Sequence, residues 1–112
     1  MTHKAILDDL RQPVKDLREQ IPGVFQGYGA LNAAVMSDGH LDAKTKELIA
    51  LAIAVTKQCD GCMASHARAA ARRGATAEEV ADALGVAILM NGGPGMVHAP
   101  RAFEAFQELA AT

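Results

Sequence analysis

Aromatic residues are scarce in this sequence: they make up 4% of the 112 residues, and tryptophan is absent. Strands are built mainly from aromatic and β-branched side chains, so this composition disfavours a β-sheet. Hydrophobic residues nevertheless reach 50% and charged residues 21%, which is ordinary for a globular protein. We therefore expect closely packed helices with a core of alanine and small aliphatic residues, in a single domain spanning residues 1–112.

An excess of basic charge and a long apolar segment are also missing. The formal net charge is −2, so no positive field is available to attract nucleic acid. The longest apolar run, Leu48 to Val55, is far shorter than the roughly 20 residues of a membrane span. Met1 to Lys4 leads into a mixed polar stretch rather than a signal peptide. We expect a cytoplasmic protein that binds neither nucleic acid nor a membrane.

Apolar spacing and capping signals predict about six helices. Their expected positions are Lys4 to about Gln20, about Val24 to Met36, Ala43 to about Lys57, the cysteine pair to Arg73, a fifth helix opened by Thr76 and Glu79 and ending near Met90, and a last helix carrying Phe103, Phe106 and Leu109. Asp42 is expected to cap the third helix, and Gly85 to permit a close helix crossing. The third helix is apolar on all sides, so another subunit is expected to cover part of it.

Both cysteines lie in the segment Cys59-Asp60-Gly61-Cys62, and His66 follows four residues later. In a reducing compartment such a pair is more often catalytic, redox-sensing or metal-binding than structural. At about 100° per residue, Cys59, Cys62 and His66 would share one face of a helix. A helix N-terminus favours thiolate over thiol, and a nearby imidazole can accept the thiol proton.

Glu47 is the fourth candidate in this group. The helix that carries it and the helix that starts at the cysteines are expected to form an antiparallel hairpin, turning between Lys57 and Asp60. At 1.5 Å per residue, Glu47 lies roughly 16 Å from that turn and His66 roughly 10 Å. The offset of about 6 Å is within reach of two extended side chains, or of one bridging water. The spacing permits a proton relay from Glu47 through His66 to a cysteine.

The other histidines and a group of arginines indicate no comparable site. His3 and His40 are expected to face solvent, and His98, beside a glycine-rich segment, is a candidate for lining a pocket. Three arginines are interpreted as the solvated face of the fourth helix: Arg68, Arg72 and Arg73.

Several of these motifs occur together in one known family. Glu47, eleven residues, and then Cys59-x-x-Cys62-x-x-x-His66 precede Arg72-Arg73-Gly74-Ala75-Thr76 and the segment Asn91-Gly92-Gly93-Pro94. This pattern resembles the carboxymuconolactone decarboxylase / alkylhydroperoxidase D-like family, over about Asp42 to Leu109. The resemblance implies an all-α, alkylhydroperoxidase D-like fold, with the chains assembled into trimers or hexamers.

The resemblance also implies a thiol-dependent peroxidase or disulfide oxidoreductase. In that family's chemistry Cys62 would attack a hydroperoxide, Cys59 would resolve the product as a disulfide, and His66 and Glu47 would relay protons. No metal or organic cofactor is then expected, and a dithiol or thioredoxin-like partner would reduce the disulfide again. Two departures leave the peroxidase efficiency and the electron donor open. Gly61 stands where the best-known alkylhydroperoxidases have a histidine, and the chain has room for one helical unit rather than two.

Three alternatives use the same residues differently. Two thiolates, an imidazole and a carboxylate could hold Zn²⁺ tetrahedrally. The disulfide could instead serve as a redox sensor that changes assembly without turnover. A decarboxylase-type lyase is disfavoured, because that branch of the family lacks the cysteine pair.

Overall fold

The computed structural model describes residues 2–112, and the regular structure of this range consists of six α-helices. They are α1 (His3–Gln20), α2 (Pro22–Met36), α3 (Ala43–Lys57), α4 (Asp60–Arg72), α5 (Ala77–Asn91) and α6 (Gly93–Ala110). The prediction of an all-helical fold is confirmed. None of these helices is long and apolar enough to cross a membrane.

Side-chain caps fix the N-terminal ends of four helices, α1, α3, α4 and α5. The Asp42 carboxylate accepts a hydrogen bond from the backbone N–H of Thr45 at 2.8 Å, where α3 begins. Thr76 and Glu79 form a reciprocal capping box where α5 begins. Both caps were predicted and both are confirmed. Caps of this kind contribute about 1 kcal/mol each to helix stability.

The glycine-rich segment after α5 interrupts the helices less than its composition suggests. Asn91 still belongs to α5 and Gly93 already belongs to α6, so the break is the single residue Gly92, with φ of 63°. Pro94 lies in the first turn of α6, where its missing N–H removes no intrahelical bond. Pro100, whose place the sequence left open, lies inside α6.

The close helix contact in this part of the molecule is made by Gly95 rather than Gly85. A Cβ atom at Gly95 would lie 2.9 Å from the Cα atom of Ile88, so α6 packs directly on the backbone of α5. The space around Gly85 is open, with nothing within 4 Å of a Cβ there. The prediction for Gly85 is therefore wrong within this chain.

The core lies among α3, α4, α5 and α6, and alanine occupies more than half of its apolar positions. The largest side chains that are fully buried are Leu51, Val55, Met63 and Val80. Small alanine side chains allow helices to approach one another closely. Helix α4 is central, since it packs against α1, α3 and α6. The expectation of packed helices with a core of alanine and small aliphatic residues is confirmed.

Helix α2 contributes no side chain to this core. None of its residues is buried, and it contacts only α1 and α3. It contains no charged residue. Four large side chains spaced along one face are each more than half exposed: Val24, Tyr28, Leu31 and Val35.

Helix α1, by contrast, is fastened to α6 by polar contacts. The backbone N–H groups of His3 and Lys4 donate to the carboxylate of Glu108 at 3.2 and 2.7 Å. These bonds, first that of Lys4, hold the pKa of Glu108 below its usual range. The imidazole Nε2 of His3 lies 2.7 Å from Oε1 of Glu104. His3 is buried, so its predicted exposure is wrong, whereas the predicted exposure of His40 is confirmed.

Candidate functional site

The turn between α3 and α4 brings the cysteine motif to the end of a helical hairpin. Gln58 has a left-handed backbone (φ 54°, ψ 37°), which is uncommon for a residue with a Cβ atom. The backbone N–H groups of Gln58 and Cys59 donate to the carbonyls of Val55 and Ala54 at 3.1 and 3.3 Å. Only these two residues separate the helices, so the chain reverses immediately before the motif.

The sulfur atoms of Cys59 and Cys62 are joined as a disulfide, and the two Cα atoms lie 5.2 Å apart. Cys59 is the N-cap of α4 and Cys62 lies in its first turn. The backbone N–H of Cys62 donates to Sγ of Cys59 at 3.2 Å, so this sulfur takes the usual place of a capping oxygen. Cys62 is exposed and Cys59 is partly buried. The pair therefore lies at the positive end of α4, with Cys62 open to solutes.

Glu47 and His66 meet across the hairpin. Nδ1 of His66 lies 2.8 Å from Oε2 of Glu47, so the contact is direct and needs no bridging water. Glu47 is only 7% exposed, while the side chain of His66 keeps 31% of its surface accessible. A carboxylate bonded at Nδ1 orients the imidazole and leaves Nε2 to exchange a proton. The predicted proximity is confirmed, and the relay to Cys62 stays a prediction.

Gly61 lies against α1. A Cβ atom at Gly61 would be 3.2 Å from Cδ1 of Leu10. A larger side chain at position 61 would therefore require Leu10 to move. This contact is a physical reason for the glycine at a position where the best-known alkylhydroperoxidases have a histidine. Leu10 covers this side of the motif, a contact that the sequence analysis missed.

A cavity of about 370 Å³ opens beside Glu47, between α3 and α4. Its other lining residues belong to α4 and the residue after it: Ser65, Arg68, Ala69, Arg72 and Arg73. Arg72 and Arg73 are exposed as expected, but Arg68 is partly buried. Sequence reasoning missed this cavity, although the i, i+4 spacing of Arg68 and Arg72 is the signal that points to a shared face.

The described residues offer no set of ligands for the zinc ion of the alternative hypothesis. Within residues 2–112, no group of three or more His, Cys, Asp and Glu side chains is placed to hold a metal ion. His98 is partly buried, and its Nδ1 has no hydrogen-bond partner among the described residues. Its predicted role in lining a pocket stays a prediction.

The sequence matches a known family and close relatives over most of its length. The sequence model of the carboxymuconolactone decarboxylase family matches residues 22–105. An uncharacterised protein of Cupriavidus necator is 37% identical over 108 residues, which is 96% of each chain. Uncharacterised protein 4 in the cox locus of Paracoccus denitrificans is 41% identical over 86 residues, covering 77% of this chain and 78% of its own. The chain belongs to the carboxymuconolactone decarboxylase family.

Two crystal structures of family members share the fold. An apo-protein of this family from Legionella pneumophila superposes with a TM-score of 0.93 at 41% identity, over 96% of both chains. A family member from Thermotoga maritima superposes with a TM-score of 0.80 at 28% identity, over 94% of this chain and 90% of its own. The Thermotoga protein is described as having a possible role in the antioxidative response.

Proposed function

We propose that this protein is a thiol-dependent oxidoreductase that reduces hydroperoxides, or exchanges disulfides, through Cys59 and Cys62. The observation that carries the proposal is the arrangement at the hairpin end. A disulfide with one exposed cysteine begins the helix that also carries His66, and the buried carboxylate of Glu47 is bonded to that imidazole. The possible antioxidative role of the Thermotoga relative supports the same chemistry.

Cys62 is the proposed nucleophile in the reduced protein, because it is the more exposed thiol. Its thiolate attacks a hydroperoxide oxygen. An S–O bond forms and the O–O bond breaks, so that the products are a sulfenic acid and an alcohol. His66, oriented by Glu47, takes the proton from the Cys62 thiol and returns a proton to the departing alkoxide.

Cys59 is the proposed resolving thiol. Its sulfur displaces the oxygen of the sulfenic acid, which leaves as water with the proton of the Cys59 thiol, and the disulfide seen here is the product. An external dithiol then exchanges with the disulfide, becomes oxidised itself and restores both protein thiols. A reducing cytoplasm, the proposed location, supplies such donors.

Hydroperoxide consumption with dithiothreitol as the reductant tests this proposal. The wild type should turn over many times per chain and Cys62→Ser should consume none above background. Cys59→Ser should turn over more slowly than the wild type, because dithiothreitol itself must then reduce the sulfenic acid of Cys62. Ser37→Ala, outside the site, is the control and should behave as the wild type. Wild-type consumption by both cysteine variants would contradict the proposal. A single oxidation of the wild type without turnover would favour the redox-sensing alternative.

We also propose that copies of this chain assemble through α2. An apolar groove of about 560 Å³ lies between α3 and α5, and large apolar side chains contribute to its wall: Leu48, Ile49, Ile53 and Val86. Monomeric proteins rarely expose extended apolar patches. An uncharged apolar helix and an apolar groove on the same chain fit a second copy, because contacts between identical chains can close into a symmetric assembly. Such an assembly would give the expected homo-oligomer and would cover Ile49 and Ile53, the apolar side chains of α3 that are exposed in one chain.

A further inference from the structure

The cavity beside Glu47 is lined by more positive than negative charge. Its charged lining residues are Glu47, Arg68, Arg72 and Arg73. Among residues 2–112, none of these arginines forms a salt bridge, whereas Glu47 is paired with His66. The one negative group is thus engaged across the hairpin, and the three guanidinium groups have no acidic partner.

Part of the cavity lining lies on the same face of α4 as Cys62, although Cys62 itself does not line the cavity. Ser65, Ala69 and Arg72 follow Cys62 at intervals of three, seven and ten residues, which keeps them on one side of a helix. Arg68, six residues after Cys62, lies about 120° from it around the helix, on the side of the cavity. At 1.5 Å per residue, Arg68 lies about 9 Å along the helix axis from Cys62, and Arg72 about 15 Å. Side chains on a helix lean toward its N-terminus, so both arginines lean toward the cysteine end. These axial distances of about 9 and 15 Å are comparable to the length of a small organic molecule.

A purely structural role explains only part of this cluster. Arg72 and Arg73 lie at the C-terminal end of α4, where the helix macrodipole favours positive charge. Arg68 lies a full turn earlier and is partly buried, so the same argument does not account for it. A partly buried guanidinium that lines a cavity without an acidic partner is suited to an anionic ligand.

We propose that this cavity binds a carboxylate on the oxidised substrate that Cys62 attacks. The preferred substrates would then be small hydroperoxides or disulfides that carry a carboxylate, held by Arg68 and Arg72, with the Ser65 hydroxyl available as a further donor. The inference rests on the proposed function for the chemistry at Cys62. A guanidinium fork matches the geometry of a carboxylate and fixes the orientation of the bound group.

Two aromatic disulfides separate the binding of the anion from the chemistry at sulfur. 5,5′-Dithiobis(2-nitrobenzoate) carries two carboxylates, and 4,4′-dithiodipyridine carries none. With either probe, one protein thiolate attacks the S–S bond and releases one aromatic thiolate. The second protein thiol then releases the other aromatic thiolate, so two protein thiols are oxidised and one probe molecule is reduced. Both reactions are followed by absorbance with the dithiothreitol-reduced, desalted protein.

The comparison uses Arg68→Gln and Arg72→Gln, with Arg101→Gln, an exposed position on α6, as the charge-matched control. For each cavity variant the rate with the dicarboxylate probe should fall about three- to tenfold at low ionic strength, while the rate with the neutral probe stays within a factor of about two. Arg68→Lys should recover part of the loss because it keeps the charge. Both probes react with the same thiols, so the ratio of the two rates within one variant cancels any difference in intrinsic thiol reactivity between variants.

An equal fall with both probes, or an equal fall in Arg101→Gln, would overturn the proposal. An unchanged ratio in both cavity variants would do the same. The probes report stoichiometric oxidation of the thiols and require no hydroperoxide. A protein that fails the turnover test of the proposed function can therefore still show the carboxylate preference, and the two failures are distinguishable.

Discussion

Helices α4 and α2 are of similar length but occupy opposite environments. Helix α4 buries Met63, Ala64, Ala67 and Ala70 within its own chain, and its His66 is bonded to a carboxylate of the preceding helix. Helix α2 buries no residue and carries no charge. The candidate site on α4 thus has fixed, hydrogen-bonded surroundings within one chain, whereas the apolar face of α2 has none. We infer that changes in the α3–α4 hairpin should alter reactivity, whereas changes in α2 should alter assembly.

The largest expected effect is that of removing the Glu47 carboxylate. Glu47→Gln should lower hydroperoxide turnover about a hundredfold, because His66 loses the carboxylate that orients its imidazole for proton transfer. Glu47→Ala should also lower the free energy of unfolding by about 1–3 kcal/mol, because it leaves a partly buried imidazole nitrogen without a partner. Turnover assays and urea denaturation measure the two effects. Glu19→Gln, an exposed position on α1, serves as the control, and full activity of Glu47→Gln would remove the relay from the account.

The second prediction places a charge on α2. Leu31→Lys should prevent assembly, because the new ammonium would have to be desolvated at the contact. The reaction of the reduced thiols with 4,4′-dithiodipyridine should change by less than about threefold, since the site lies within one chain. Gln26→Lys adds the same charge about 200° away from Val24 around the helix and should leave assembly intact. Sedimentation velocity gives the mass of each species.

A wild-type protein that sediments at the 11.7 kDa of one chain would contradict the assembly proposal outright. Equal dissociation by Leu31→Lys and Gln26→Lys would show that α2 does not present a specific face.

The third prediction concerns the contact between α1 and the cysteine motif. Gly61→Ala gains helix propensity, up to about 1 kcal/mol, but its Cβ meets Leu10 at 3.2 Å. Gly61→Ala should therefore raise the free energy of unfolding only slightly in the wild type. In a Leu10→Ala background the increase should be about 0.5–1 kcal/mol larger. Gly85→Ala, with open space around it, should stabilise both backgrounds equally. Urea denaturation gives the four free energies, and equal effects of Gly61→Ala in both backgrounds would show that Leu10 does not restrict this position.

The smallest expected effect is the acid sensitivity of α1. Because the fold lowers the pKa of Glu108 from its ordinary 4.5, its stabilising contribution is present above that pH and is lost as the pH falls through the lower folded-state value. Glu108→Gln should therefore be less stable than the wild type near neutral pH, and the difference should narrow below about pH 4.5. Thermal melts of both proteins across this range measure it. A difference that stays constant with pH would rule out the carboxylate as the cause.

The elements of the fold could be predicted from the sequence because their signals are local. Asp42, Thr76 and Glu79 cap the helices that begin just after them, and the apolar periodicity fixes helix faces within a few turns. The contact between Glu47 and His66 was also predictable. Both residues lie within a few turns of a tight hairpin, so counting the rise per residue places them side by side.

Two of the failures involve contacts between residues far apart in the chain. His3 is buried because α1 docks on Glu104 and Glu108, about a hundred residues later, and no local pattern encodes that docking. The approach of Leu10 to Gly61 depends on the same packing. The cavity lined by Arg68 requires the angle between α3 and α4, which periodicity alone does not give. In each case the sequence provides the side chain and the tertiary packing provides its environment.

One measurement tests the central claim that this dithiol reduces hydroperoxides. The dithiothreitol-reduced, desalted wild type and Cys59→Ser are each treated with one equivalent of a hydroperoxide, and their intact masses are recorded. The wild type should lose two hydrogen atoms as Cys59 and Cys62 join, and Cys59→Ser should gain one oxygen at Cys62. Unchanged masses of both proteins, with the hydroperoxide still present, would contradict that claim.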